Sequence, residues 1–139
     1  MASLSSHRNT AQALDLQFVL PVKAGVQLFA GAIATMDGGF AAPGRTALSL
    51  MAFGRCERGI DNRLGADGDV FVTVRCGAFG WANSAGADEI TLADIGKDCF
   101  IVDDQTVAKT DGGGTRSRAG RVLFVSDDDG VIVAIGPHI

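Results

Sequence analysis

Val122-Leu123-Phe124-Val125-Ser126-Asp127-Asp128-Asp129-Gly130-Val131-Ile132-Val133-Ala134-Ile135 is the stretch on which the fold turns. Two apolar, β-branched runs flank a Ser/Asp/Gly cluster, the grammar of two strands joined by a tight reversal. Moving backwards, Phe100-Ile101-Val102 and Thr106-Val107-Ala108 flank Asp103-Asp104-Gln105 in the same way, with the glycine loop Asp111 to Arg118 between the two hairpins. Earlier still, Ile33 to Met36 and Phe40-Ala41 enclose Asp37-Gly38-Gly39, whose glycines supply the positive φ angles a hairpin turn requires.

Between these hairpins, Val70 to Arg75 alternates cleanly, with Val70, Val72 and Val74 on one face and Phe71, Thr73 and Arg75 on the other, so one face is expected to be core and the other partly wet or at an interface. Gly77 and Gly80 then interrupt Cys76 to Ala82, which predicts a bulge or a sharp bend. Thr46 to Phe53 also reads as a strand, on its Ser/Thr alternation. Thr91-Leu92-Ala93-Asp94-Ile95-Gly96 carries the capping-box pattern of one helical turn, with Thr91 as cap and Asp94 as its return partner. Near the start, Leu14, Leu16, Phe18 and Leu20 alternate with polar or smaller residues until Pro21, which confines a strand to a sheet edge or ends it. Residues 1–13 are small and polar and read as an arm, leaving 14–139 as a single β domain.

Seven to nine short strands, with turn residues about every ten positions, place the chain in the all-β class. The expected fold is a small β-barrel or sandwich of antiparallel strands with one short helical turn and an extended N-terminal arm. No repeat register is strict enough for a solenoid or propeller.

The bulk composition narrows the function. Hydrophobic residues make up 47% of the 139 and charged residues 20%, so apolar surface is left over and self-association is expected. Twelve basic against 16 acidic residues give a net charge of −4, the wrong sign for gripping phosphate backbones, so no specific nucleic-acid partner is expected. The stretch from Leu28 to Met36 is the longest nearly apolar one, too short to span a bilayer, and the first ten residues lack the pattern of a secretory signal. Cys56, Cys76 and Cys99 are odd in number and far apart, and read as reduced, buried hydrophobes.

Each catalytic reading lacks a required residue. Asp103, Asp104, Asp127, Asp128 and Asp129 are candidates for an acid and base pair, but they sit where turn aspartates bond their own backbone. Asp127-Asp128-Asp129-Gly130 lacks the alternating ligands and distal Glu of a calcium loop, and Asp111 to Arg116 lacks the Gly-Lys-Ser/Thr ending of a phosphate cradle. His7 and His138 lie at opposite ends of the chain, leaving no material for a Ser-His-Asp set or a zinc pattern. No catalytic residue, metal or cofactor is expected. Arg116, Arg118 and Arg121 form a basic cluster beside the glycine loop, while Phe79 and Trp81 offer a core anchor or a stacking platform.

Taken in order, Asp61-Asn62 with Gly65 to Gly68, the Val70 to Gly77 strand, Ala93 to Lys97, Val102 to Val107, Ala119-Gly120 with Val122, and Asp129 to Val133 form a set of strings. That set, over roughly residues 16–139, resembles the capsid decoration (cement) proteins of tailed bacteriophages and prophages. The run Gly54-Arg55-Cys56-Glu57-Arg58 is more charged than that family pattern. The resemblance implies a non-enzymatic virion protein, made in the host cytoplasm. It would assemble as a homotrimer on the capsid exterior and clamp neighbouring major capsid protein subunits. Contacts with partners or with other copies are then expected at Leu14, Leu16, Phe18 and Leu20 on the edge strand and at Arg116 and Arg118 on the loop. A tail or spike component is an alternative, as is a small-barrel module for single-stranded nucleic acid or glycan that uses Trp81, Phe79 and the arginines.

Overall fold

The structure is a computed structural model describing residues 2–11 and 16–139. Twelve strands run along it: β1 (Gln17–Pro21), β2 (Gln27–Leu28), β3 (Ile33–Asp37), β4 (Phe40–Pro43), β5 (Met51–Cys56), β6 (Ile60–Asp61), β7 (Phe71–Arg75), β8 (Gly77–Trp81), β9 (Asp98–Ile101), β10 (Val107–Ala108), β11 (Arg118–Ser126) and β12 (Gly130–Ile135). Two single 3-10 turns, Gly86–Asp88 and Leu92–Asp94, are its only helical elements among the described residues. The fold is all-β and antiparallel, in the manner of a sandwich.

Two five-stranded sheets divide the chain almost in half. One has the order β1-β7-β5-β3-β4 and the other, read from its first strand, β8-β12-β11-β9-β10; β2 and β6 form a separate ladder. Numbered within its own half, each sheet therefore runs first, fifth, fourth, second, third. The correspondence extends to register. Leu20 stands opposite Val72 and Phe18 opposite Val74 in the first sheet, while Trp81 stands opposite Val131 and Phe79 opposite Val133 in the second. Both sheets curl until their outer strands touch through one parallel bridge, Val22 with Ala41 and Ala82 with Thr106. A single bridge is no ladder, so neither sheet is a closed barrel, and the barrel alternative gives way to the sandwich.

One close contact recurs at the same place in both halves. A Cβ on Gly54 of β5 would lie 2.1 Å from the Arg75 carbonyl oxygen on β7, and one on Gly120 of β11 would lie 2.1 Å from the Ala134 oxygen on β12. Each glycine sits at a register shift of its strand, opposite Ala34 in β3 or beside Arg118 against β9. Only glycine lets fourth and fifth strands approach this closely, and the shift adds local twist.

Each half wraps its own core. Val22, Leu28, Ala34, Phe53, Cys56, Val72, Val74 and Cys76 fill the first, and Trp81, Ile90, Cys99, Ile101, Val107, Val122, Val131, Val133 and Ile135 the second. Ile33 of β3 and Ala52 of β5 belong to the second core, which is how the sheets pack together. The chain crosses between them at Cys76, and Gly77, at φ +156°, makes the bend predicted for that segment.

All three predicted hairpins form, as β3–β4, β9–β10 and β11–β12. On β7 the buried residues are Val72 and Val74, with Phe71 exposed across the pleat. Thr91 and Asp94 make both capping-box bonds around Leu92–Asp94. β1 is an edge strand ending at Pro21, as its sequence requires, although Leu14 lies outside the described residues. Residues Ala2–Ala11 are exposed and contain neither strand nor helix.

The segment Thr46 to Phe53 is different from its sequence reading. Strand begins only at Met51 and continues through the charged Gly54-Arg55-Cys56. Ahead of it, Ser117 donates its hydroxyl to the Ala47 carbonyl and accepts the Leu50 amide at 2.6 and 3.0 Å, and Thr46 donates to Val102 at 2.8 Å. These side-chain bonds to the other half replace a ladder partner, and Ser49 takes φ +64°, which no strand residue can.

Candidate interaction surface

Among the described residues β1 forms a ladder with β7 alone, and just past its end Val22 bridges Ala41 of β4. The Cys76 amide bonds the Leu16 carbonyl and the Val22 amide the Val70 carbonyl, so even-numbered residues of β1 point their backbone groups at β7. By antiparallel alternation Gln17 and Val19 direct theirs outward, along a free edge. Above that edge lies an outer face made of three cross-strand pairs: Gln17 with Arg75, Val19 with Thr73, and Pro21 with Phe71. Val19 is 65% exposed and Phe71 57%. Phe18, on the inner face, meets Phe53 edge to face at 5.8 Å, yet its position at the edge leaves it 39% exposed. The second sheet packs against Ile33 and Ala52 on the central strands and leaves the β1–β7 face uncovered.

Of the residues expected to meet a partner, Leu16 and Leu20 are half-buried, packed against the first core. Phe18 is at the free edge, and nothing is described for Leu14. Phe71 lies on the β7 face that its alternation assigns to water or an interface, and Val19 completes that face from β1, hidden because the apolar period there runs through the even positions. An alternating strand whose other face also carries Val and an aromatic is the signal that identifies them.

Arg116 and Arg118 lie elsewhere, and their charges are met inside the chain. Arg116 Nη1 donates to Asp88 Oδ2 at 3.2 Å and to the Thr110 carbonyl at 3.0 Å, and its side chain lies against the Gly112 backbone. Hydrogen bonds from the Thr110 hydroxyl and Arg116 hold the Asp88 carboxyl below its ordinary range. Arg118 Nε pairs with Asp98 Oδ1 at 2.8 Å, and Nη1 reaches the Ile139 carbonyl. Both guanidinium groups act as struts, one beneath the glycine loop and one across the strand ends.

Of the aspartates weighed as an acid and base pair, Asp103 alone is shown with its carboxylate on backbone, as are Asp67 and Asp69 in the earlier loop. Asp103 accepts the Gln105 amide, Asp69 the Ala66 amide and Asp67 the Ala24 amide, while Ser126 accepts the amides of Asp128 and Asp129. Asn62, buried among loop residues, donates Nδ2 to the carbonyls of Val22, Lys23 and Ala66 and so ties the Asp61 to Gly68 loop to the end of β1. Among the described residues no three His, Cys, Asp or Glu side chains gather as a metal set. The cysteines are free and buried, and burial pushes the Cys99 thiol up to about 12. Trp81 is a core residue, 4% exposed, with Phe79 against it and the Arg55 guanidinium 4.4 Å over the Phe79 ring. The pair is a core anchor rather than a stacking platform. Among the described residues no helix is long and apolar enough to cross a membrane.

Neither the sequence nor the fold finds a match among protein-family models, curated proteins or solved structures.

Proposed function

We propose that this chain is a non-enzymatic assembly protein that seats, as a homotrimer, on the outer surface of a tailed-phage capsid and bridges major capsid protein subunits. The observation that carries the reading is the uncovered β1–β7 face, where Val19 and Phe71 stand beside the free backbone groups of an edge strand. Such an edge offers hydrogen bonds to an added strand and the face offers apolar area, the two ingredients of strand-addition binding. The ordered strings that resemble decoration proteins give the partner its identity. Added buried area between capsomers raises the work of separating them, which is the service a packed capsid needs against internal pressure.

Purified chain mixed with expanded, undecorated capsids is expected to bind saturably and to raise their resistance to heat. Replacing Val19 and Phe71 together by Asp is expected to weaken that binding by about tenfold or more, with the fold intact because both side chains are exposed. Absence of binding at micromolar concentration overturns the proposal. Unchanged binding by the double variant removes the face from it.

A further inference from the structure

At the far end of the second sheet a groove runs between the Leu92–Asp94 turn and the β11–β12 reversal. Its floor is Ile90, Leu92 and Val125, and its rim includes Glu89, Ser126 and Asp127. Leu92 is 59% exposed and held by the capped turn. The two rim carboxylates are exposed, and neither takes part in an ion pair among the described residues. The groove is apolar at the bottom and anionic at the edge, with its charge unspent.

The chain carries a segment of complementary character. Residues Ala2–Ala11 contain no acidic side chain, and they hold Leu4, 73% exposed, and Arg8, exposed and likewise without an ion pair among the described residues. In an extended backbone Leu4 and Arg8 are separated by about 13 Å. Four residues apart, the two side chains project from the same side of an extended segment, so one can meet apolar surface while the other meets an acidic rim. In the single chain every one of these ten residues is exposed and the groove is open.

We infer that the groove receives the N-terminal segment of a second copy of this chain, with Leu4 against Leu92 and Val125 and Arg8 between Glu89 and Asp127. The inference deepens the proposed assembly role and rests on it for its purpose, since arms exchanged between copies hold an oligomer together before it meets a capsid. Exposed charge pairs across such an interface chiefly select the partner, and they are screened by salt.

The test is charge exchange in the full-length chain, read by sedimentation without capsids. Wild type is expected to associate at tens of micromolar. Arg8→Glu and the double variant Glu89→Lys/Asp127→Lys are each expected to associate about tenfold more weakly. Their equimolar mixture regains association only in part, because in a ring of three copies two of the three arms then meet an opposite charge, and the triple variant associates like wild type. Thermal melts verify that these surface changes leave the fold intact. A monomeric wild type, unchanged association in either charge variant, or a triple variant no better than its parents overturns the inference. A mixture that stays dissociated while the triple variant recovers places the arm on its own chain, and that too overturns it. Capsid binding, measured separately, decides the assembly role, so either idea can fail alone.

Discussion

The two halves lay five strands along one path and differ in what they leave uncovered. On β1 and β7 the outward pairs are Val19 with Thr73 and Pro21 with Phe71; on β8 and β12 they are Gly80 with Ile132 and Ala78 with Ala134. The connection into the fifth strand differs as well. In the first half it runs from Cys56 through β6 and the Asn62-anchored loop, whereas in the second it is the tight Ser126 to Gly130 turn. The close approach of fourth and fifth strands thus depends on a backbone requirement, met by Gly54 and Gly120, while outward side chains are free to diverge. Both halves carry an exposed aromatic on the outer face, but on different strands: Phe71 beside the edge strand in the first, and Phe124 of β11, opposite Ile132 and 52% exposed, in the second.

The greatest asymmetry is expected at the equivalent places of Trp81 and Leu20. Trp81→Ala empties the second core and should cost about 3–5 kcal/mol in urea unfolding, against about 1–2 kcal/mol for Leu20→Ala at the half-buried edge. Equal losses would break the correspondence. Next come the two close-approach glycines. Gly54→Ala and Gly120→Ala push a methyl group into backbone and should each destabilise by about 1–3 kcal/mol, by similar amounts. If one is tolerated, the shared requirement for glycine is wrong.

A smaller difference belongs to the capped turn, which only the second half possesses. The Asp94 carboxyl is held below its ordinary range by the Thr91 backbone bond and by Lys109 and Lys97, so its contribution is full above the ordinary carboxylate pKa and is lost as pH falls through the depressed folded value. Asp94→Ala should cost about 1 kcal/mol at neutral pH, and the gap to wild type should close on acidification. A gap that widens in acid refutes the assignment. The subtlest measurement needs no substitution. Cys56 and Cys76 mark the first core and Cys99 the second, and burial raises all three thiols. Thiol labelling along a urea titration should expose the three together, because Ile33 and Ala52 tie the cores; separate transitions would mean that the halves melt independently.

Strand signals that depend on neighbours in sequence were legible: the hairpins, the β7 alternation, the capped turn and the proline-ended edge. Thr46 to Leu50 misled because its partners, Ser117 and Val102, lie far along the chain and supply bonds that alternation cannot reveal. The repeated path was hidden for a related reason. Phe18 and Phe79, Val72 and Val131, and Val74 and Val133 match in type at equivalent places, but these common strand residues are scattered among unlike pairs such as Leu20 and Trp81. At the candidate surface, Phe18 and Phe71 follow from the alternation of their strands, whereas Val19 required knowing that the second sheet stops at the central strands. The arginines looked free because Asp88 and Asp98, which neutralise them, are 28 and 20 residues away, the separations of Arg116 from Asp88 and Arg118 from Asp98.

The segregation of strands into consecutive halves also has a consequence during synthesis. Every strand of the first sheet has been made once Arg75 is added, so its pairing need not wait for the rest of the chain. Ile33 and Ala52, however, are covered only by the second core, which is complete at Ile135, 60 residues later by the difference of the two positions. At about 5–20 residues per second that delay is about 3–12 seconds. For that interval Ile33 and Ala52 lack the cover the second core gives them, so the nascent first half presents an apolar seam.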